Sequence, residues 1–333
     1  MVALAVQAGR ARFWDYPAMS AESPSRYHEP VLLAEVVGLL APAPGALFVD
    51  GTLGGGGHAA ALLTAGARVI GLDHDADAIR EAKARFVDAG ENLRIVRSNF
   101  SRVGAVLDQL DIERIDGALL DLGVSSHQLD EPARGFSFMH DGELDMRMDD
   151  RLPRTAADLV NTLGGGEIER LLRTFGEEPA ARRIAAKLVR ERIARPFTTT
   201  LQLAAAVESV VPRRGRTHPA TRTFQALRIA VNGELEALEA GLEQFAARLA
   251  VGGRLAVITF QSLDDRIVKH TFRARSTEWL DRPEWPEPRR NPDCLFKLLT
   301  RKAVVAGAAE LQANPRARSA KLRVVERIAP HVH

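Results

Sequence analysis

The sequence predicts an α/β fold in which helices cover a largely parallel sheet, with a block of helices inserted into it. Apolar, strand-like runs alternate with amphipathic helical runs through the first third of the chain. A glycine-rich turn follows the first of these runs, and polar or aromatic residues follow the next three. Because the carboxyl ends of parallel strands meet at one edge of a sheet, these residues predict a ligand site there.

The first strand-like run, Ala46 to Val49, leads into Asp50-Gly51-Thr52-Leu53-Gly54-Gly55-Gly56-Gly57-His58, which opens an alanine-rich helix. Glycines let the backbone approach a ligand closely, and the first amides of a helix face it with the positive end of the helix dipole. The run lacks the G-x-G-x-x-G order of dinucleotide folds, and many glycine runs are only flexible loops. In this context the turn predicts a cradle for a nucleotide-like cofactor without identifying which one.

The next three runs each deliver a candidate ligand-binding group. Arg68 to Leu72 ends in Asp73, and an acid at the tip of a second strand can hold both hydroxyls of a ribose. The third and fourth runs, Leu93 to Val96 and Ile115 to Leu120, lead to Asn99-Phe100 and to Asp121. Local sequence leaves two interpretations of Asp121 open: it acts on a ligand, or it ends the strand by capping the next turn.

The strand rhythm stops after Ser125 and resumes near the end of the chain. Segments such as Ala180 to Ala194 have helical spacing, whereas Gly253 to Phe260 again resembles a buried strand. Two last runs, Leu295 to Thr300 and Lys321 to Glu326, are expected to close the sheet as an antiparallel pair. We therefore predict a disordered extension over residues 1–25, a core divided between residues 26–125 and 227–333, and an inserted helical domain over residues 126–226.

Composition limits the class of protein. The chain has 333 residues, 46% hydrophobic and 26% charged, which is typical of a soluble globular protein, and no apolar run reaches the length of a membrane span. The single cysteine, Cys294, excludes an internal disulfide framework, a four-cysteine zinc site and a cysteine-bound iron–sulfur cluster. Residues 1–25 contain no signal core, Met19 is an alternative start, and we expect a cytoplasmic protein.

Two basic clusters stand out although the net charge is only +2. Such clusters predict contacts with phosphates, although a solvated helix face is the commoner explanation of either cluster alone. The cationic residues concerned are Arg213, Arg214, Arg216, Arg222 and Arg228 in the first cluster, and Arg316, Arg318, Lys321 and Arg323 in the second.

Two further segments combine residues that carry chemistry. Gly135 to Asp150 mixes aromatics, methionines and acids without helical or alternating order, and its Asp145, Asp149 and Asp150 suit either a metal cluster or, as we favour, a solvated loop. His218 to Arg228 offers arginines for phosphate and Phe224 to stack on a base. The same pattern equally describes a capped helix start with a buried phenylalanine.

These segments, in this order, resemble the ribosomal small-subunit RNA methyltransferase H family. The resemblance runs from Tyr27-His28-Glu29-Pro30-Val31-Leu32 to Ser319-Ala320-Lys321-Leu322-Arg323. Its most specific motifs are Asp50 to His58, Asp121 to Asp130, Gly135 to Asp149, His218 to Arg228 and Gln261-Ser262-Leu263-Asp264-Asp265-Arg266. Several long motifs in register make chance similarity a poor explanation.

The resemblance implies a class I S-adenosylmethionine-dependent methyltransferase fold, a Rossmann-like seven-stranded sheet with an inserted helical domain for substrate recognition. It implies transfer of a methyl group to N4 of a cytosine in the decoding region of 16S rRNA, within the small ribosomal subunit. S-Adenosylmethionine would be held by the residues at the family's binding positions, and no metal is expected. Those positions are Gly56, Gly57, His58, Asp73, Phe100, Asp121 and Gln128.

Asp121 is the best catalytic candidate under this resemblance. The lone pair of a cytosine amine is delocalised into the ring, so the amine needs a group that orients it and accepts its proton. Asp73 would bind the ribose and Phe100 would lie against the adenine. Cys294 is far along the chain and not preceded by proline, which argues against methylation through a cysteine adduct.

Two residues depart from the family pattern. His127 stands where the family usually has proline, which would loosen the loop that carries Gln128. Gln261 stands where it usually has histidine, so a proton-relay role at that position is in doubt, although glutamine still forms hydrogen bonds.

Alternatives from other functional classes remain open at this point. The first two strands alone would also suit a nicotinamide-dependent oxidoreductase, although the phosphate-binding glycine order is absent. A non-enzymatic ribosome-assembly factor could use the same fold to bind rRNA without turnover. The sequence likewise leaves open whether the chain is a monomer or a homodimer.

Overall fold

The computed structural model describes residues 30–213, 215 and 217–329. The predicted disordered extension over residues 1–25, the alternative start at Met19 and the first motif of the resemblance up to Glu29 lie outside the described residues. Arg214 and Arg216 of the first basic cluster lie outside them as well.

The main sheet has seven strands in the order β3-β2-β1-β4-β5-β9-β8. Its strands are β1 (Leu47–Asp50), β2 (Arg68–Asp73), β3 (Leu93–Arg97), β4 (Ile115–Asp121), β5 (Leu249–Thr259), β8 (Phe296–Leu298) and β9 (Lys321–Arg327). The first five strands in spatial order are mutually parallel, whereas β9 runs antiparallel to β5 and to β8. The predicted seven-stranded sheet with an antiparallel ending is confirmed. A separate ribbon joins β6 (Trp279–Leu280) to β7 (Arg289–Arg290).

Helices cover both faces of this sheet and form a separate group between β4 and β5. Those associated with the sheet are α1 (Leu33–Leu40), α2 (Gly57–Thr64), α3 (Ala76–Arg85), α4 (Val103–Gln109), α5 (Ser126–Asp130), α11 (Glu234–Arg248), α12 (Ser262–Ala274) and α13 (Ala308–Ala313). The separate group contains α6 (Ala156–Thr162), α7 (Gly165–Gly176), α8 (Ala181–Ala194), α9 (Thr200–Glu208) and α10 (Thr221–Asn232).

The central strands are apolar along their length because helices bury them on both faces. Leu119, Leu120, Ala256 and Val257 have no exposed surface. β1 pairs with β2 on one side and with β4 on the other, so successive connections leave it in opposite directions. Ligands of doubly wound sheets bind at such a switch point, at the carboxyl ends of the strands.

The helices α6 to α10 surround a hydrophobic cluster of their own, distinct from the two clusters on the faces of the sheet. Phe136, Leu144, Met146 and Met148 belong to it, each at most 7% exposed. The apolar side chains of Gly135 to Asp150 therefore pack into this cluster, whereas the prediction of a solvated loop concerned only the acids of the segment. The separate cluster supports the predicted inserted domain, whose limits at residues 126 and 226 stay a prediction.

Among the residues that the structure describes, no helix is both long enough and apolar enough to cross a bilayer.

Candidate active site

A cleft opens at the carboxyl ends of β1, β2, β3 and β4 and is closed on its far side by the beginnings of α11 and α12. It holds about 1170 Å³, counting the space open to solvent. Six of the seven residues predicted to bind the cofactor line it: Gly57, His58, Asp73, Phe100, Asp121 and Gln128. The fold therefore gathers residues that are far apart in the sequence at a single edge of the sheet.

Gly56, the seventh predicted residue, shapes the turn from behind the cleft. It precedes α2 with a φ of 74°, a conformation that glycine adopts without strain. A Cβ at this position would lie 2.2 Å from the ring of Phe86, so a larger residue would not fit. Gly56 thus sets the direction of the turn, while Gly57 and His58 present the start of α2 to the cleft.

Asp73 is fixed at the end of β2 by backbone amides. Its Oδ2 accepts from the Gly54 amide at 2.8 Å and its Oδ1 accepts from the Asp75 amide at 2.9 Å. Burial raises the pKa of this carboxyl above its usual range. Each carboxylate oxygen has a second lone pair, so the predicted contact with ribose hydroxyls stays chemically available.

The side chains of His58 and Asp121 lie close together in the cleft, and most of their polar atoms have no hydrogen-bond partner in the described part of the chain. The His58 Nε2 lies 3.6 Å from the Asp121 Oδ2. Both ring nitrogens of His58 and the Asp121 Oδ1 are buried without a hydrogen-bond partner among the described residues. Buried polar atoms are normally satisfied, so these three atoms indicate a site completed by a ligand.

The structure does not support the capping interpretation of Asp121, and its action on a ligand stays a prediction. Its backbone amide donates to the Thr52 Oγ1 at 2.6 Å, which ties the end of β4 to the glycine turn. Its carboxylate caps no turn among the described residues; Ser125 instead caps the next helix, α5. Asp121 therefore ends the strand with its carboxylate held toward the cleft.

Asp50 contributes a further buried carboxyl beneath the turn. It is 1% exposed, and its Oδ1 accepts from the Thr52 amide at 3.2 Å. Burial raises the pKa of Asp50 to about 6, against the opposing attraction of His58.

Phe100 lines the cleft but is largely enclosed by α11. It is 9% exposed, and a Cβ on Gly241 would lie 2.6 Å from its ring. The glycine on α11 thus leaves room for the ring, which forms part of the apolar wall. Its predicted contact with an adenine stays a prediction.

Gln128 lines the cleft with both polar atoms already engaged. Its Oε1 accepts from the Ser125 amide at 3.0 Å, and its Nε2 donates to the buried Asp75 Oδ2 at 2.7 Å. Arg134 donates to the same Asp75 oxygen at 2.8 Å and to the Arg147 carbonyl at 3.1 Å. Gln128 therefore joins the loop after β4 to the loop after β2.

Asp75 and Arg134 are functional-site residues that the sequence reasoning missed. Asp75 caps α3 by accepting from the Asp77 amide, and an aspartate just before Ala76 to Val87 is a helix-start signal that could have been used. Arg134 has no local signal, because its partner lies 59 positions away.

Of the acids in the 145–150 segment, Asp150 is solvated as predicted, at 67% exposed, whereas Asp145 and Asp149 are largely enclosed by arginines. Asp145 pairs with Arg147 at 2.7 Å, and Asp149 pairs with Arg151 at 2.7 Å and with Arg97 at 3.2 Å. Although burial opposes it, hydrogen bonds from Arg151 lower the pKa of Asp149 to about 2. Across the described residues, no group of three or more His, Cys, Asp or Glu side chains could hold a metal ion.

Part of the His218 to Arg228 motif packs into the hydrophobic cluster of α6 to α10 instead of facing the surface. Phe224 is 4% exposed and packs edge-on against Phe138, so the buried-phenylalanine alternative is right and stacking of Phe224 on a base is wrong. Arg228 forms a bidentate pair with Glu234 at 2.7 and 2.9 Å. Gln261 lies against the same guanidinium and, with its amide oxygen turned toward it, accepts at 3.2 Å.

His127 and the second basic cluster are also engaged with acids. The His127 Nε2 lies 3.6 Å from the Asp77 Oδ2. His127 belongs to α5, which Ser125 caps. Arg316 pairs with Asp130 at 3.1 Å. Arg323 and Lys321 pair with Asp265 at 2.8 and 3.3 Å. Phosphate contacts by these cations stay a prediction, and they would have to compete with the pairs.

Asp264 also lines the cleft, and the sequence reasoning assigned it no role. It belongs to the first turn of α12 and is 4% exposed. Burial, reinforced by the nearby negative charge of Glu234, raises the pKa of Asp264 to about 7.

Comparison with known proteins supports one family. The model of the "MraW methylase family" matches residues 25–328 of the chain. A protein named Ribosomal RNA small subunit methyltransferase H from Citrifermentans bemidjiense is 51% identical over 91% of this chain and 99% of its own length. Proteins of the same name from a Geobacter species and from Anaeromyxobacter dehalogenans are 50% and 51% identical, over 91% and 90% of this chain and 99% and 98% of their own.

Proposed function

Because the chain belongs to the MraW methylase family, an enzyme family of methyltransferases, we propose that it methylates the exocyclic N4 of a cytosine in the decoding region of 16S rRNA. S-Adenosylmethionine is the proposed methyl donor, and transfer is direct, without a covalent enzyme intermediate. The relatives' names support small-subunit rRNA as the substrate, and the geometry of the cleft supports the donor and the mechanism.

The residues that line the cleft match the chemical groups of S-adenosylmethionine. Asp73 would hold the ribose, Phe100 the adenine, and the turn at Gly56 and Gly57 the methionine end, which bears no pyrophosphate. The unpartnered polar atoms of His58 and Asp121 would find hydrogen-bond partners on the methionine end of the cofactor. When bound, the cofactor supplies a methyl group activated by a positively charged sulfur.

Asp121 is the proposed catalytic residue, and the partnerless oxygen of its buried carboxylate is the observation that carries the proposal. A fixed acceptor at this edge would orient the amine of the cytosine so that its nitrogen faces the methyl group. The carboxylate would also take the proton of the amine or direct it to water. Gln128 would support this site indirectly, by holding the loop that follows Asp121 against Asp75.

Direct transfer agrees with the position of the one cysteine. Cys294 is 7% exposed and lies outside the residues that line the cleft. A base in a helix is stacked and cannot reach the floor of a cleft, so the cytosine must be splayed out of its stack. The helices α6 to α10 and their basic neighbours are the proposed rRNA-recognition domain, acting on 16S rRNA within the small ribosomal subunit.

The decisive experiment compares nucleosides by mass spectrometry. Small-subunit rRNA from a strain lacking this gene is expected to lose N4-methylcytidine, and the purified chain with S-adenosylmethionine is expected to restore it. Asp121→Ala should reduce restoration by at least ~100-fold while the protein stays folded.

Asp116→Ala is the matched control, because Asp116 lies on the same strand but is exposed. Near-normal methylation by the Asp121→Ala protein would refute the catalytic assignment. Unchanged N4-methylcytidine in the deletion strain, together with rRNA binding by the chain, would favour a non-enzymatic assembly factor instead.

A further inference from the structure

Methylation of an exocyclic amine releases a proton, and the cleft must provide a place for it. The Asp121 Oδ2 lies 3.6 Å from the His58 Nε2 without a hydrogen bond between them, and the Asp121 carboxylate faces the region proposed for the cofactor. Another carboxyl lines the same cleft from the start of α12. That carboxyl is Asp264.

Asp264 approaches the cleft from the wall opposite the glycine turn. β4 and β5 are adjacent and parallel, with Asp121 paired in register to Ile258. The chain beyond Ile258 therefore passes the edge of the sheet at the level of Asp121, turns at Phe260 and enters α12. Asp264 in its first turn lines the same cleft as Asp121.

The side chain of Asp264 is largely enclosed, and no ion pair to its carboxylate is found among the described residues. Asp264 is 4% exposed and lines the cleft, and its oxygens are not among the fully buried polar atoms that lack a partner. Its neighbour Asp265 provides the contrast, since Arg323 and Lys321 bind that carboxylate at 2.8 and 3.3 Å. Burial of a carboxyl without an ion-pair partner is costly, which argues that a ligand rather than the fold requires it.

The charges around Asp264 favour a group that gains and loses a proton near neutral pH. Arg228 is the nearest cation, but Glu234 binds its guanidinium with two hydrogen bonds and Gln261 lies against it. Burial and Glu234 together raise the pKa of Asp264 to about 7. A carboxylate of that basicity accepts a proton far better than an ordinary aspartate at the same pH.

Other charged groups around this wall are already paired. They are Asp265 with Arg323 and Lys321, and Glu177 with Arg266. Across the cleft, the Asp121 Oδ2 lies 3.6 Å from the His58 Nε2 without a hydrogen bond between them.

We propose that Asp264, rather than Asp121, is the base that takes the proton from N4 of the target cytosine; this replaces the proton route through the Asp121 carboxylate, leaves Asp121 the role of orienting the amine, and rests on the proposed function. The lone pair of N4 forms the new N–C bond while the C–S bond breaks and its electron pair stays on sulfur. One N4–H bond then breaks, its electron pair returns to nitrogen, and the proton bonds to an oxygen of Asp264. Asp121 orients the amine, and the neutral Asp264 releases its proton to solvent when the product leaves.

The test compares Asp264→Asn with Asp265→Asn, two adjacent substitutions that remove one carboxylate each. The side-chain amide introduced by Asp264→Asn keeps an oxygen that accepts from the amine but does not take a proton. We expect kcat of Asp264→Asn to fall by ~100-fold or more while KM for rRNA and the cofactor affinity stay near wild type. Asp265→Asn should keep kcat, although loss of its pairs lowers the melting temperature.

The pH dependence separates a proton acceptor from a positioning residue. Wild-type kcat should rise with pH through about 7, where Asp264 loses its proton. Asp264→Asn should lose this limb of the profile, and Asp264→Glu should restore it. A thermal melt of each variant without cofactor shows that the comparison is between folded proteins; Asp264→Asn is expected to melt no lower than wild type.

Near-wild-type kcat in Asp264→Asn, or a low kcat that keeps the same pH limb, would overturn the role of Asp264 while leaving the proposed function intact. An Asp264→Glu protein as inactive as Asp264→Asn would count against it too. Failure of the wild-type protein to form N4-methylcytidine would overturn both proposals, because the first is the premise of the second.

Discussion

Asp121 in the cleft and Asp149 in the 145–150 segment are buried to the same degree but have opposite surroundings. Their side chains are 16% and 15% exposed. Asp149 is held by two arginines, and its pKa falls to about 2. Asp121 keeps one oxygen without any partner among the described residues.

The same contrast holds for other carboxyl groups of the protein. Asp77 and Asp145 have pKa values below the usual range, because arginines outweigh the effect of burial. Asp50 and Asp264 have pKa values raised to about 6 and about 7, mainly by burial. We refer to the first set, with Asp149, as the arginine-bound acids, and to Asp50, Asp121 and Asp264 as the acids without an arginine partner among the described residues. Burial alone therefore does not reveal which carboxylates work for the fold and which for a ligand; their partners do.

Loss of the half-buried Arg134 should have the largest effect on stability. Arg134→Ala removes hydrogen bonds to Asp75, Asp77 and two carbonyls and leaves Asp75, 4% exposed, without its cation. We expect the free energy of unfolding to fall by about 3 kcal/mol, measured by chemical denaturation. Arg134→Lys, which keeps the charge but not the forked geometry, should fall between wild type and Ala. An unchanged denaturation midpoint would mean that this pair does not hold the two loops together.

Removal of an acid without an arginine partner should act in the opposite direction. The pKa of Asp50 is raised in the folded state, so its ionisation costs stability, and that cost appears as pH rises from about 4 through about 6. Asp50→Asn is therefore expected to be more stable than wild type at pH 8, by about 2 kcal/mol, and similar to it at pH 4. Denaturation at the two pH values measures the difference. A variant less stable than wild type at pH 8 would show that Asp50 stabilises the fold, as the arginine-bound acids do.

Removal of an arginine-bound acid should cost a smaller amount. The pKa of Asp149 is depressed in the folded state, so its contribution is present above about pH 4 and disappears as pH falls through about 2. Asp149→Asn should lower the free energy of unfolding by about 1 kcal/mol at pH 7, since one of its two arginines is exposed. The loss should vanish when the same melts are run near pH 2.

Removal of the exposed partner should have the smallest effect. Arg151 is 56% exposed, and exposed ion pairs contribute little in water. Arg151→Ala is expected to cost about 0.5 kcal/mol or less, and the cost should shrink in high salt. A loss as large as that of Arg134→Ala would show that exposure does not separate the two arginines.

The sheet could be predicted from the sequence because its signals are local. Buried parallel strands are continuous apolar runs, so Arg68 to Leu72 and Ile115 to Leu120 were found within one residue of their limits. The glycine turn and the polar strand ends then predicted the cleft, and Gly57, His58, Asp73 and Asp121 do line it.

The rest depended on contacts between distant parts of the chain. Met146 and Met148 look like surface residues among acids, and only the packing of α6 to α10 buries them. Phe224 could be assigned to the core only once Phe138 was placed beside it. Nothing in the local sequence distinguishes Asp264 from Asp265. The structure separates them, because Arg323 of β9 binds Asp265 whereas Asp264 lines the cleft.

The place of β5 in the sheet has a consequence for synthesis of the protein on the ribosome. β4 ends at Asp121, but β5, which covers its free edge, begins only at Leu249. At typical translation rates the apolar edge of β4 waits on the order of ten seconds for its neighbour, while the whole of α6 to α10 emerges. An unpaired apolar edge is prone to aggregation, so the nascent chain carries that risk at β4 for the whole interval.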